Sequence, residues 1–395
     1  MISVTQAKEI IARHCKAPDP VEIDLSDATG KTLAADITSN LDIPAFAQSS
    51  MDGYAFNYDG FLQNENLFVT GEIAAGENKN MQLQQHEAMR IFTGAPIPHG
   101  ADTVVMQEKS RIENGKLFME DDKIKLGSNV RMKGSEIKEN HVALEAGCLL
   151  TSPGIGFLAG IGITKVMAYP APLITIIVTG NELQAPGAIL QYGQVYESNS
   201  LALKTALETI GIKTVTVIHV RDHLAEITIA VKKALAKSDM ILLTGGVSVG
   251  DYDFVVQAAE DCGIEKLFHK VKQKPGKPLY VGKKGNKVIF GLPGNPSSVL
   301  TCFYQYVILA LQILQKNPAL IKIMKAALLS PYNKPAGLTQ FLKGYVNDSR
   351  VQVLQAQESY RMQSFAKANC LIEIEESVTD LNEGDLVKIY LLPGC

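Results

Sequence analysis

The sequence predicts a multidomain protein with a central α/β domain, a mostly β insert and a small C-terminal β domain. Its length of 395 residues exceeds what one hydrophobic core usually organises, so several domains are expected. In the second half of the chain, short apolar runs alternate with helical stripes. This alternation predicts a parallel sheet of the doubly wound type with helices on both faces.

The α/β domain is assigned to residues 1–20 and 172–316. Ser3 and Gln6 have the spacing of a capping box, and the apolar stripe that follows predicts a helix over 5–15. The apolar runs predict strands over 173–178, 214–220, 240–243 and 287–290, and the stripes predict helices over 200–210, 224–236, 254–262 and 296–315.

Two other regions are rich in turns and short β-type runs. Residues 42–141 contain runs such as 103–105 between glycine and asparagine turns, and they predict the mostly β insert. Residues 317–395 contain runs such as 351–354, and they predict the small C-terminal β domain.

The composition is that of an ordinary globular protein. With 38 Lys+Arg against 41 Asp+Glu the net charge is −3, which argues against nucleic-acid binding driven by overall charge. The six cysteines form no CxxC pair, which favours reduced thiols in the cytoplasm over a zinc ribbon or disulfides. No signal peptide is expected, and the apolar stretch 299–314 predicts a core helix because polar residues interrupt it, so no membrane association is expected.

Charge is distributed unevenly along the chain. Residues 266–347 contain 13 lysines and no acidic residue. Such a run is either a solvated lysine face or a local anion site. Four lysines lie between Lys270 and Lys277 on a turn made rigid by Pro275 and Pro278, and their mutual repulsion favours an anion at this turn.

Loops that follow the predicted parallel strands are the expected ligand-binding positions. Gly245 and Gly246 open a loop whose backbone N–H groups favour a phosphate or another oxyanion. Asp253 in the same loop either caps the next helix or holds Mg²⁺. Glu182 and Asp222 follow two other strands, so the three carboxylates could converge at one edge of the sheet.

Two more loops contain residues that are expected to cap the helices that follow them. Asn295 with Pro296 is a good N-cap and first-turn pair, although the glycines before it suggest close backbone approach to a ligand. Ser198 or Asn199 is expected to cap the helix that follows it. In the β insert, motifs around residues 52 and 93 have on their own the character of ordinary turns.

Eight motifs occur in order from Pro44 to Phe303 and read PAFAQSSMDGYA, GEIAAG, RIFTGAPIPHGADTVVMQE, VTGNEL, GQVYESNS, TGGVSVGDYDFV, KPGKP and GLPGNPSS. Taken together, they resemble the molybdopterin molybdenumtransferases, the MoeA family, which also includes the E domain of gephyrin. Each motif is weak alone, but the ordered set is highly specific.

The resemblance implies a homodimer of four-domain subunits with the active cleft between subunits. Residues 21–41 and 142–171 would then form a linking domain. It implies insertion of molybdate into adenylylated molybdopterin, which gives molybdenum cofactor and AMP, with Mg²⁺ as the divalent cation. Other enzymes of the cofactor pathway are the expected partners.

Matching the motifs one by one also assigns the family's functional residues. The resemblance implies catalytic roles for Asp52, Thr93, Glu182, Asp222, Asp253, Lys270 and Lys274, with Glu182, Asp222 and Asp253 as metal ligands. It implies that substrate or molybdate is bound by Arg131, Gly245, Gly246, Ser248, Lys277, Pro278, Ser298 and Ser364.

The sequence departs from the family pattern at a few positions. Ala47 and Gln48 replace an Asp-Asn pair, and Glu136 is expected to take the role of a shorter Asp. Leu338 and Lys343 stand where the family has basic residues. These departures affect the expected contacts to metal and molybdate.

Two other functions remain open from the residues alone. One is an adenylyltransferase on the same type of sheet, which would make the adenylylated pterin instead of consuming it. The other is a scaffold, a role that gephyrin also has. The sequence does not distinguish molybdate from tungstate, or identify the physiological metal and the apo-enzymes that receive the cofactor.

Overall fold

The computed structural model describes residues 1–64, 66–77, 81–246 and 254–394. The chain divides into two compact units. The first unit contains residues 1–23, 30–34 and 167–395, and the second unit contains residues 24–29 and 35–166.

A six-stranded sheet forms the centre of the first unit. Its strand order is Val215–Val220, Ile174–Thr179, Met240–Thr244, Lys287–Leu292, Tyr280–Lys284 and Glu265–His269. The first four strands are parallel, and their bounds agree with the predicted runs to within one or two residues. The last two strands were not predicted. Tyr280–Lys284 pairs antiparallel with the strands on both of its sides, so the sheet is mixed at this edge.

Helices cover both faces of this sheet. Their bounds are Val4–His14, Asn199–Thr209, Leu224–Lys237, Phe254–Asp261, Pro296–Cys302 and Ile308–Leu314, with a π-helical turn, Phe303–Val307, between the last two. Ile176 and Leu242 pack in one hydrophobic cluster, whereas Ile177 and Leu243 pack in another. Successive strand residues point to opposite faces, so this division confirms the doubly wound arrangement.

The helix caps are partly as predicted. The capping box is confirmed, because Gln6 N donates to Ser3 Oγ at 3.1 Å and Ser3 N donates to Gln6 Oε1 at 2.9 Å. Ser198 and Asn295 occupy the N-cap positions of their helices, but their side chains make no capping hydrogen bond. A carboxylate caps the first of these helices instead, since Ser200 N donates to Glu197 Oε1 at 2.8 Å.

The long apolar helix lies in the core, as predicted. Pro296–Leu314 is long and apolar enough to cross a membrane by length and composition, with a mean hydropathy of 1.5. Of this window, 78% is buried inside the protein, which is the state of a core helix.

The C-terminal part of the first unit is a small β domain, as predicted. Its strands follow the order Thr339–Asn347, Arg350–Val353, Lys322–Leu328, Leu386–Leu391 and Cys370–Ile374, and the last pairs with the first. Gln273–Lys274 adds to this sheet by pairing in parallel with Thr339 and Gln340. The predicted lysine turn is therefore attached to the C-terminal β domain.

The second unit is mostly β. Its main sheet has the order Thr103–Met106, Gly53–Phe56, Glu87–Ile91, Leu67–Ile73, Lys116–Met119 and Ser110–Glu113. Short pairs join Gln48–Ser49 to Val130–Arg131 and Ile37–Thr38 to Val142–Leu144. The unit also contains two α-helices, Tyr58–Gln63 and Ser152–Gly160, and two short 3-10 helices, Leu25–Asp27 and Gln107–Lys109.

Candidate functional site

The carboxyl ends of the parallel strands open onto a cavity of about 1050 Å³ in the first unit. The loops after all four parallel strands contribute to its lining, together with the lysine turn and two loops of the C-terminal β domain. The predicted site residues on its surface are Glu182, Asp222, Gly245, Gly246, Lys274, Lys277, Pro278 and Ser298. Ser248 and Asp253 lie outside the described residues.

The loop after Met240–Thr244 approaches the neighbouring strand closely. Gly245 and Gly246 have φ values of +88° and +63°, a region that glycine adopts without strain. A Cβ atom at Gly245 would lie 2.0 Å from the carbonyl oxygen of Thr179. Only glycine fits at this position, so its backbone reaches the cavity without a side chain in the way.

Two carboxylates stand at the same edge of the sheet. Thr179 Oγ1 donates to Asp222 Oδ1 at 3.0 Å, and Asp222 N donates to Asn181 Oδ1 at 3.2 Å. These bonds fix Asp222, and Glu182 is exposed on the cavity lining. Among the described residues no group of three potential metal ligands occurs, and the predicted third carboxylate, Asp253, is not among them.

The lysine turn presents its charged groups to the cavity. Lys274 and Lys277 are exposed and line it, whereas Gly276 between them is buried. Lys270 does not line the cavity. Its backbone has a φ of +72°, and its N–H donates to the carbonyl of Leu279 at 3.0 Å.

The serine of the C-terminal β domain that reaches the cavity is Ser359. Asn295 Nδ2 donates to Ser359 Oγ at 2.9 Å, and Ser297 N donates to its carbonyl at 3.1 Å. Ser364, the predicted residue, is not on the lining, and its hydroxyl donates to the carbonyl of Ala356 at 2.7 Å. The two serines are only five residues apart, and no local pattern tells which of them faces the cavity.

Two buried lysines hold the C-terminal loops that line the cavity. Lys343 is 2% exposed, and its ammonium group donates to the carbonyls of Ala356, Arg361 and Glu358 at 2.7, 3.0 and 3.4 Å. Burial lowers the pKa of Lys343. Lys334 bonds the carbonyl of Leu338 in the same way at 3.0 Å. The ammonium groups of these two lysines hold loops in place through backbone carbonyls, and they do not point into the cavity.

Replacing Lys343 with methionine is expected to destabilise this loop, because three partly buried hydrogen bonds from a charged donor to backbone carbonyls are lost. We expect a loss of about 2–3 kcal/mol in the free energy of unfolding. Calorimetric unfolding of the variant measures it, with Lys322→Met as the control because Lys322 is an exposed lysine of the same domain. Equal stability of the two variants would contradict this role.

In the second unit, Asp52 and Thr93 are hydrogen-bonded to each other, so the two motifs are more than ordinary turns. The backbone N–H and the hydroxyl of Thr93 both donate to Asp52 Oδ1 at 2.8 Å. Both hydrogen bonds lower the pKa of Asp52, and the bond from the Thr93 backbone N–H contributes more than the bond from its hydroxyl. Arg131 and Glu136 are exposed in the same unit, and Glu136 N donates to the carbonyl of Ile43 at 2.9 Å.

Thr93→Val is expected to raise the pKa of Asp52, because one of the two donors to the carboxylate is lost while the larger backbone contribution remains. An activity that needs ionised Asp52 would then begin to fall at a higher pH on acidification. NMR titration of the Asp52 carboxyl and the acidic limb of the activity profile measure the change. An unchanged Asp52 pKa would show that the hydroxyl does not act on this carboxylate.

The first unit thus contains an α/β domain whose parallel strands end at a cavity lined by two lysines and a glycine loop. Three family models match the chain: the MoeA N-terminal region (domain I and II) over 2–162, a probable molybdopterin binding domain over 175–313, and the MoeA C-terminal region (domain IV) over 325–392.

Relatives match over the full length. A molybdopterin molybdenumtransferase from Haemophilus influenzae is 33% identical over 98% of both chains, and one from Staphylococcus epidermidis is 33% identical over 99% of this chain and 95% of its own. A solved molybdopterin biosynthesis moeA protein from Pyrococcus horikoshii superposes with a TM-score of 0.82 at 29% identity and covers 100% of both chains. The chain belongs to the molybdopterin molybdenumtransferases, enzymes of molybdenum cofactor biosynthesis.

Proposed function

We propose that this chain inserts molybdate into adenylylated molybdopterin and releases AMP and molybdenum cofactor, with the first-unit cavity as the reaction site. The observation that carries the proposal is the presence of Lys274, Lys277 and the Gly245–Gly246 loop on one cavity surface. A glycine loop suits a phosphate, and two lysines on a rigid turn suit a second anion such as molybdate.

The residue types fit this chemistry. Cleavage of a phosphoanhydride develops negative charge on phosphoryl oxygens, and cationic side chains near them stabilise it. Lys274 and Lys277 supply that charge, and the hydroxyls of Ser298 and Ser359 can donate to molybdate oxygens. The volume of about 1050 Å³ is adequate for a pterin together with a nucleotide. The proposed reaction needs no covalent nucleophile from the protein.

Mg²⁺ is part of the proposal. The available donors are carboxylate oxygens, the ligands that Mg²⁺ prefers, and Asp222 Oδ1 accepts from Thr179 while Oδ2 accepts no hydrogen bond from the described part of the chain. Glu182 and Asp222 would hold the ion, with Asp253 as the third ligand that the sequence indicates. The bound ion would neutralise charge on the phosphoryl oxygens.

A mass-spectrometric assay tests the reaction directly. Purified protein is incubated with molybdate and Mg²⁺, and with either adenylylated molybdopterin or molybdopterin plus ATP. We expect AMP release and loss of the adenylylated pterin in the first mixture only. Consumption of ATP in the second mixture would instead identify an adenylyltransferase. Parallel reactions with tungstate measure which oxyanion is preferred.

The proposal includes a cytoplasmic homodimer that works with other enzymes of the cofactor pathway. The unpaired thiols of Cys15, Cys148, Cys262, Cys302 and Cys370 fit a reducing compartment. The motif resemblance supports the dimer. Native mass spectrometry at micromolar concentration distinguishes a dimer from a monomer of 42.8 kDa.

A further inference from the structure

A buried polar cluster lies directly beneath the lysine turn. Its members are Gln273, Cys302 and Tyr306, which are 1%, 0% and 0% exposed. Burying polar side chains is costly unless their hydrogen bonds are satisfied. The hydrogen bonds of these three side chains therefore indicate their structural role.

The side-chain amide of Gln273 connects the core helix to the turn. Its Nε2 donates to the carbonyls of Pro275 and Gly276 at 3.1 and 3.0 Å. Its Oε1 accepts from the hydroxyl of Tyr306. The Sγ atom of Cys302 lies 3.6 Å from Nε2 and donates to the Gly276 carbonyl at 3.7 Å.

Tyr306 fixes the orientation of this amide. An amide oxygen only accepts, so a hydroxyl that donates to it leaves the NH₂ group directed at the turn. Burial raises the pKa of Tyr306 well above its usual value and raises the pKa of Cys302 to about 12. Both groups therefore keep their protons and remain donors at neutral pH.

The backbone of the core helix is adapted to this contact. Tyr306 lies in the π-helical turn Phe303–Val307, which interrupts the otherwise α-helical segment. Such turns insert one residue and redirect the side chains around it, and they are frequent at functional sites. The helix thus gives up regular geometry at the position where Tyr306 bonds Gln273.

Gly276 shows how closely the turn is fitted to the cluster. Its φ is +84°, and a Cβ atom there would lie 2.5 Å from Cys302 Sγ and 2.9 Å from Gln273 Nε2. The carbonyls held by the amide belong to Pro275 and Gly276, the two residues between Lys274 and Lys277. Fixing them fixes the separation and direction of the two cationic side chains.

We propose that Gln273, oriented by Tyr306, is a positioning residue that holds the lysine turn so that Lys274 and Lys277 act on the same oxyanion. This inference rests on the proposed function, because it assumes that the turn binds molybdate. An apolar side chain would also fill the space, but it would not direct the two carbonyls. The polar cluster therefore contributes fixed geometry at the turn.

The test uses Tyr306→Phe and Gln273→Met in the full-length protein. Tyr306→Phe removes one oxygen atom and keeps the packing. Tyr332→Phe is the matched control, because the Tyr332 hydroxyl donates to Gln340 Oε1 at 2.7 Å and neither side chain lines the cavity. Molybdate affinity is measured by isothermal titration calorimetry, and amide exchange of segment 271–279 is measured by mass spectrometry.

We expect molybdate affinity to fall about tenfold in Tyr306→Phe and Gln273→Met, because misplacement of a binding group by a fraction of an ångström is enough for such a loss. Amides of segment 271–279 should exchange faster in both variants. The control should match the wild type in affinity and exchange. Melting temperatures identify any loss caused by general unfolding, and if Gln273→Met does not fold, Tyr306→Phe decides.

Wild-type affinity and exchange in Tyr306→Phe would overturn the proposal. Faster exchange with wild-type affinity would overturn it as well, since the lysines would then not depend on the cluster. If the wild type itself binds no molybdate, the proposed function fails at this turn, and the exchange measurements alone decide whether Gln273 orders it. Unchanged exchange would then reject the ordering role too.

Discussion

Replacing Lys274 or Lys277 with alanine is expected to reduce activity by about a hundredfold or more while the protein remains folded. Loss of one group that stabilises developing oxyanion charge typically costs about 10²–10³ in rate. Both side chains are exposed on the cavity. In the described part of the chain neither has an ion-pair partner, so removing one relieves repulsion and leaves the free energy of unfolding almost unchanged.

The measurement is AMP release together with the thermal midpoint of each variant. Lys272→Ala is the control on the same segment, because Lys272 pairs with Glu376 at 3.0 Å and does not line the cavity. Loss of this partly exposed pair should cost about 1 kcal/mol or less. If both Lys274→Ala and Lys277→Ala keep full activity, the lysine turn has no part in the reaction.

Local signals predicted much of the first unit. The four apolar runs became parallel strands: three of them are buried on both faces, whereas the edge strand Val215–Val220 is only partly buried. The capping box began the first helix where expected. The positions of the loops followed from the topology, since the ends of parallel strands meet at one edge. Glu182, Asp222 and the Gly245–Gly246 loop therefore reached one cavity, as the sequence indicated.

The antiparallel edge of the sheet was missed although its turn has a clear signal. Lys284 pairs with Lys287, so Gly285 and Asn286 form a two-residue hairpin turn, and Gly285 has a φ of +58°. Glycine and asparagine at this position are typical of such turns. The run before it contains Tyr280, a glycine and two lysines, and it lacks the continuous apolar character of a buried strand.

The acid-free lysine stretch shows where sequence reasoning reaches its limit. Lys274 and Lys277 face the cavity, Lys322 is exposed, and Lys334 and Lys343 are buried on backbone carbonyls. The lysines of this stretch are therefore neither all on a solvated face nor all at an anion site. A lysine is buried where carbonyls of other loops lie within reach of its ammonium group, and no local sequence pattern shows where those carbonyls lie. The choice between Ser359 and Ser364 depends on the same kind of placement.

Gly245→Ala is expected to abolish most of the activity, by about a hundredfold or more, because the loop must move away from its neighbouring strand. The added Cβ would lie 2.0 Å from the Thr179 carbonyl oxygen, and the φ of +88° is unfavourable for alanine. Relief of that contact requires a shift of about 1 Å or more, and a displacement of that size in a binding loop can cost about 10² in rate.

Gly156→Ala is the control for the added methyl group. Gly156 does not line the cavity, a Cβ atom there meets nothing within 4 Å and its φ is not positive. We expect this variant to keep activity within about threefold of the wild type, since surface substitutions of this kind usually change stability by about 0.5 kcal/mol or less. Steady-state AMP release and the thermal midpoint are measured for both variants. Similar activities would show that close approach of the Gly245 backbone is not required, and the glycine loop would then not be the phosphate site.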